Sequence, residues 1–165
     1  LFRRADGRIY FNLADVSGKG LNAALLMTRA CSLLRHLAKT VDDPGDLLAR
    51  VNDELSETVT HGMFITIISG FIDQEKGVVT FANAGHQPAL YHRHDGSFEE
   101  IAAAAPPLCI HAGMDFPITT IPMAGGSLYL FTDGVTESLD ADNRQLEISG
   151  LQELIRSHEI GRAHV

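Results

Sequence analysis

"FNLADVSGKGLNAALLM", Phe11 to Met27, decides how the chain is read. It begins like a strand, breaks at Ser17-Gly18-Lys19-Gly20 and continues from Leu21 with apolar residues at three- and four-residue steps. Ala23, Leu26, Met27, Ala30, Leu33, Leu34 and Leu37 share one face, while Asn22, Arg29, Ser32, Arg35 and Lys39 lie on others, which predicts a helix with one buried side. A single carboxylate, Asp15, stands at the junction. At a strand end it is held rigidly with its oxygens toward solvent, and nearby glycines let backbone carbonyls and water approach the same point.

Asp133 has the same setting in "LFTDGVTE", again behind an apolar strand and before a glycine. Hard cations such as Mg²⁺ prefer oxygen ligands and keep several waters, so a few carboxylates suffice to hold them. Strand-end aspartates also cap turns and helices, and the two residues alone leave both readings open.

Working outward, Arg8 to Ala14 reads as the strand that delivers Asp15, preceded by a hairpin turn at Asp6-Gly7. A second helix starts at Pro44 behind the cap Asp43, with Asp46 three beyond the cap and a stripe of Leu47, Leu48, Val51 and Leu55. After His61-Gly62 the pattern turns to β. "MFITIISGFID" is nearly continuous apolar and β-branched, as a strand covered on both faces would be, and "QEKG" turns it into an antiparallel "VVTFANA". "QPALYHR" and "SFEEI" form a hairpin, "AAAAPPL" a linker, and "FPITTIPM" and "SLYLFT" two more strands around Gly125-Gly126. "VTESL" reads as a short helical turn and "SGLQELIRSH" as a last helix. Helices on a largely antiparallel set of strands make the chain α+β with layered packing.

The 165 residues, 45% hydrophobic and 21% charged, suit one globular domain and exclude disordered and collagen-like chains. No apolar run approaches the roughly 20 residues of a membrane span, and no basic-then-apolar leader opens the chain, so the expected location is cytoplasmic. A net charge of -8 with scattered Lys and Arg excludes a nucleic-acid backbone binder and suits a site that collects cations. Cys31 and Cys109 lack metal-ligand spacing and read as reduced thiols. With no initiator methionine, further sequence is expected upstream. Glu159 to Val165 back-translates to a sequencing-adapter run and reads as a non-native tail, leaving a domain of residues 1–158.

"DVSGKGLNAALLM", "MFITIISGFID", "FANAGHQPALYHRHDG" and "LFTDGVTES", in this order and spacing, resemble the stage II sporulation protein E-like serine phosphatases. These are the bacterial branch of the metal-dependent (PPM, type 2C-like) protein phosphatases, and the resemblance covers Leu1 to His158. It implies a layered α-β-β-α sandwich of two antiparallel sheets flanked by helices, truncated here at both ends. It implies two Mn²⁺ or Mg²⁺ ions at one end of the sandwich, with Asp15 bridging both, the Val16 carbonyl on one and Asp133 on the other. It further implies hydrolysis of phosphoserine or phosphothreonine by a metal-bound water, with Asp15 and Asp133 as the catalytic pair. Gly18 and Gly20 are expected to keep the turn around the site compact, Gly134 to let backbone and water approach it, and Asn83 and His86 of "NAGH" to shape its edge. The partner implied is a phosphorylated regulatory protein such as an anti-sigma factor antagonist, in a chain compatible with a homodimer.

Other candidates carry less. Lys19 in "SGKG" lacks the GxxxxGK[ST] context of a phosphate loop. His92 and His94 read as a solvated hairpin rather than metal ligands. Ser17 has no base beside it in sequence and reads as a turn hydrogen-bonding residue. Two acidic blocks of the family, one upstream and one beyond the last helix, are absent, which predicts weak metal affinity and impaired turnover for the chain as it stands. Cys109 stands where the family shows glycine, which predicts a different loop shape. The rival readings are a catalytically silent phosphatase-fold docking module, which the missing acids would favour, and a kinase-like nucleotide binder, for which no glycine loop is present.

Overall fold

The architecture comes from a computed structural model, which describes residues 1–59, 62–139 and 143–160. Two antiparallel sheets stack face to face. Strands β1 (Phe2–Arg3), β2 (Ile9–Val16), β3 (Ile65–Asp73), β4 (Val78–Ala84) and β7 (Ile118–Pro122) form the larger sheet in the order β1-β2-β3-β4-β7. The smaller sheet orders β6 (Phe98–Ile101), β5 (Ala89–His92) and β8 (Ser127–Tyr129) as β6-β5-β8.

Helices α1 (Leu21–Leu37) and α2 (Pro44–Ser56) cover the outer face of the larger sheet, α3 (Asp133–Thr136) is a single turn, and α4 (Glu147–Ile160) covers the smaller sheet. This is the expected α-β-β-α order of layers. Among the described residues no helix is long and apolar enough to cross a membrane.

The two-residue period of β3 builds two core layers at once. Ile65, Ile67 and Phe71 pack toward the helices, whereas Ile68 and Ile72 pack between the sheets against Phe11, Phe81 and Tyr91. Its central place between β2 and β4 explains the unbroken apolar sequence. A third layer joins Leu90 and Phe131 to Ile155 of α4.

The predicted stripe of α2 is fully buried, with Leu47, Leu48, Val51 and Leu55 each at 0% exposure. Asp43 caps that helix by accepting the Gly45 and Asp46 N–H groups at 2.7 and 3.0 Å.

The structure corrects the reading of His92 and adds detail at the Gly125-Gly126 turn and the cysteines. The strands around Gly125-Gly126 lie in different sheets: β7 pairs with β4 and β8 with β5, so the chain crosses from one sheet to the other there. Tyr91 ties this crossing down by donating its hydroxyl to the Pro122 carbonyl at 2.7 Å. His92 is buried and stacked on Phe98 at 4.2 Å between ring centroids, because β5 is the central strand of its sheet and is covered on both faces; only His94 sits in the exposed turn. Cys31 lies on the exposed face of α1; it and Cys109 are free thiols. The proposed tail reaches α4 at 159–160, and residues 161–165 fall outside the described residues, as do Thr60 and His61.

Candidate active site at the mouth of the sandwich

Asp15 is the next-to-last residue of β2 and pairs with Thr66 on β3. Tyr10, Ala14 and Val16 pack on the helix side of β2 and Phe11 between the sheets, so alternation sends Asp15 to the inter-sheet face at the open end. Asp133 arrives from the other sheet. The strand expected to run through Thr132 stops at Tyr129, because in its register Leu130 and Phe131 would face Ala89 and Pro88, and Pro88 has no N–H to give. Three residues therefore carry the chain past the sheet before Asp133 opens α3.

Both aspartates are exposed and line one cleft of about 320 Å³, shared with Val16, Ser17, Gly18, Phe64, Thr66, Gly85, His86 and Gln87. Each carboxylate makes the same local bond. Asp15 Oδ1 accepts the Val16 N–H at 2.9 Å and Asp133 Oδ1 accepts the Gly134 N–H at 2.8 Å. One oxygen of each is thereby oriented by its own backbone. Among the described residues neither has an ion-pair partner.

The turn after β2 needs its glycines for backbone conformation, since Gly18 and Gly20 take φ of 84° and 89°. Gly134 has neither a positive φ nor a crowded Cβ position, and what it contributes is its N–H. Ser17 joins this turn to the segment before β3: its hydroxyl accepts the Phe64 N–H at 2.8 Å while its own N–H reaches the Phe64 carbonyl at 2.9 Å.

"NAGH" resolves into a scaffold. Asn83 is buried, accepts the His86 N–H at 2.9 Å and donates to the Gln87 carbonyl at 3.1 Å, closing the turn that follows β4. Gly85 sits at φ 65° against Pro107, so close that a Cβ would fall 2.5 Å from the proline ring. His86, 6% exposed, has both ring nitrogens engaged: Nε2 is 3.1 Å from the Phe131 carbonyl and Nδ1 2.9 Å from the Thr66 hydroxyl. The carbonyl can only accept, so Nε2 carries the proton and Nδ1 accepts from Thr66. Burial lowers the pKa of this ring against the upward pull of the Phe131 carbonyl and of the Asp15 and Asp133 charges, leaving it neutral at pH 7.

Sequence reasoning missed Thr66 and Phe131. The signal for Thr66 was a lone polar residue inside "MFITII"; Phe131 acts through its backbone, which no side-chain pattern reports.

The donor set is thus two carboxylates that, among the described residues, have no ion-pair partner. Among the described residues no group of three or more His, Cys, Asp or Glu gathers here or elsewhere. Such a set fits a hard divalent cation that keeps most of its waters.

The chain is 34% identical over 148 residues to the phosphoserine phosphatase RsbU of Bacillus subtilis (strain 168), a match covering 88% of this chain and 44% of that protein. The solved RsbU and RsbW domains of Rv1364c from Mycobacterium tuberculosis align with a TM-score of 0.73 at 26% identity, over 88% of this chain and 40% of that one. The PP2C phosphatase domain of SpoIIE from Bacillus subtilis, solved with a fragment of its regulatory domain, aligns with a TM-score of 0.68 over 90% of this chain and 49% of that one. At 20% identity that is a likeness of fold. The chain spans less than half the length of each of these proteins. A family model matches residues 5–164, almost the whole sequence, and the chain belongs to the stage II sporulation protein E (SpoIIE) family.

Proposed function

We propose that this chain is a metal-dependent protein serine/threonine phosphatase that hydrolyses phosphoserine or phosphothreonine on a regulatory protein, of the type found in sigma-factor partner switching. The observation that carries the reading is the convergence of Asp15 and Asp133, 118 positions apart, on one cleft. Phosphatases of this family are metal-dependent, and RsbU, a phosphoserine phosphatase, is the relative cited above.

In this reading Asp15, the Val16 carbonyl and Asp133 would together hold two Mn²⁺ or Mg²⁺ ions. Such ions supply Lewis acidity that activates water and neutralises phosphoryl oxygens. Asp15 and Asp133 hold charge at the cleft, each with one oxygen fixed by a backbone N–H. Gly18 shapes the turn beside Asp15, Gly134 gives its N–H to Asp133, and Asn83 and His86 support the edge. A phosphorylated partner such as an anti-sigma factor antagonist, met in the cytoplasm, completes the reading.

The test is release of phosphate from a phosphoserine peptide with Mn²⁺ or Mg²⁺ at millimolar concentration. Chelation should abolish it, and Asp15→Asn or Asp133→Asn should lower it at least about a hundredfold, since each removes ligand charge with little change of shape. The absence, among the described residues, of a third acidic or histidine ligand favours one rival, a silent docking module on the same fold. No metal-dependent hydrolysis, or full activity in both variants, would select that rival.

A further inference from the structure

We propose that His86 is a positioning residue, a strut across the mouth of the sandwich that fixes the separation of Asp15 and Asp133. Its two bonds end on different halves of the site. Through Nδ1 it holds Thr66, the cross-strand partner of Asp15 in the larger sheet. Through Nε2–H it holds the carbonyl of Phe131, two residues before Asp133 on the segment leaving the smaller sheet.

Among the described residues no β-ladder joins the sheets, and the segment that carries Asp133 has left its own ladder at Tyr129. The imidazole is therefore a direct polar link between the two carboxylate-bearing segments. Its own seat is rigid: the N–H of His86 is held by buried Asn83, and the backbone beside it is pressed on Pro107 at Gly85. A ring with one donor and one acceptor satisfied at 3.1 and 2.9 Å has no nitrogen left for a metal, so it acts on the site through geometry alone. Groups that orient metal ligands from behind typically change affinity 10- to 100-fold when removed.

The inference rests on the two-carboxylate metal reading, and the experiment separates them. Free Mn²⁺ is titrated with the chain and followed by its electron paramagnetic resonance signal. Wild type should bind and Asp15→Asn should not; absence of binding by wild type overturns the metal reading and the strut with it. Given wild-type binding, Thr66→Val, which removes the hydroxyl that meets Nδ1 at 2.9 Å and lies 3.5 Å from the Asp15 carbonyl, should weaken Mn²⁺ about tenfold. His86→Leu should weaken it further, and adding Thr66→Val to His86→Leu should cost nothing more, because both break one chain of contacts. His94→Leu, in the exposed turn, should bind as wild type. Should His86→Leu fail to fold, Thr66→Val and the ring tautomer still decide: long-range proton–nitrogen correlation must show Nε2–H in wild type. Unchanged Mn²⁺ affinity in Thr66→Val with only a lower melting temperature, or an Nδ1–H tautomer, refutes the strut.

Discussion

Cys109 takes φ 70°, a region that favours glycine, so its side chain is accommodated as local backbone strain. What holds it there is Asn52 on α2, at 0% exposure, which accepts the Cys109 N–H and donates to the His111 carbonyl, both at 2.9 Å. Burial also pushes the Cys109 thiol up, away from reactive thiolate. Cys109→Gly should be at least as stable as wild type, because relief of a cost of about 1–2 kcal/mol offsets the extra freedom of the unfolded glycine. Cys109→Val should be less stable by a similar amount, since a branched Cβ resists positive φ. Asn52→Ala should lose about 1–3 kcal/mol by leaving two partly buried backbone groups without their partner. Thermal denaturation of the three variants checks the order, and a Cys109→Gly protein clearly less stable than wild type would contradict the strain account.

Gly70 lies at the middle of β3, opposite Phe11 on β2 and Phe81 on β4. A Cβ there would meet the Thr80 carbonyl at 2.4 Å, the Phe81 Cβ at 2.6 Å and the Phe11 ring at 2.9 Å. The two phenylalanines fill the space that the central strand leaves, and they belong to the inter-sheet core. Gly70→Ala should therefore cost at least about 1–3 kcal/mol through overpacking, despite the better strand propensity of alanine. Denaturant unfolding checks it; a stabilised Gly70→Ala would mean that Phe11 and Phe81 can move aside. The same strand ends at the site through Thr66, so the slope of Mn²⁺ dependence in this variant also reports how far the strain travels.

At the end of the larger sheet away from the cleft, charges fasten the first hairpin to the layers. Arg4 and Arg8 both reach Asp42 just before α2, at 2.7 and 2.5 Å, and both guanidinium groups lie over the Phe71 ring at 5.0 and 5.1 Å. Arg4 and then Arg8 hold the Asp42 carboxyl below its ordinary 3.8, and Arg8 does the same for Asp6. A carboxyl lowered in the folded state stabilises above its unfolded pKa and loses that contribution as pH falls through the lower folded value. Asp42→Asn should therefore be less stable than wild type at pH 7, and the gap should close as pH drops below about 4. Because Asp42 is largely exposed, the gap should also shrink at high salt. Melting curves across pH and ionic strength check both trends; a gap unchanged at pH 3 would assign the effect to something other than charge.

Local chemistry made much of this molecule readable from sequence. The stripes of α1 and α2, the Asp43 cap, the turn at Asp6-Gly7 and the buried character of β3 follow from periodicity and from what each residue type can do with its own backbone. Asp15 and Asp133 stood out for the same reason, each beside a break that its neighbours impose. The tertiary structure decided what depends on partners distant in sequence. β7 and β8 separate into different sheets because pairing with β4 and β5 is a choice among edges, which a Gly-Gly turn does not make. His92 is buried because β6 and β8 flank its strand. The contact chain Thr66–His86–Phe131 needs three segments at once, and its last member is a backbone carbonyl that any residue would offer. Sequence thus determined which side chains could do chemistry, and packing determined which of them meet, because burial and hydrogen-bond satisfaction are properties of the assembled layers rather than of any one segment.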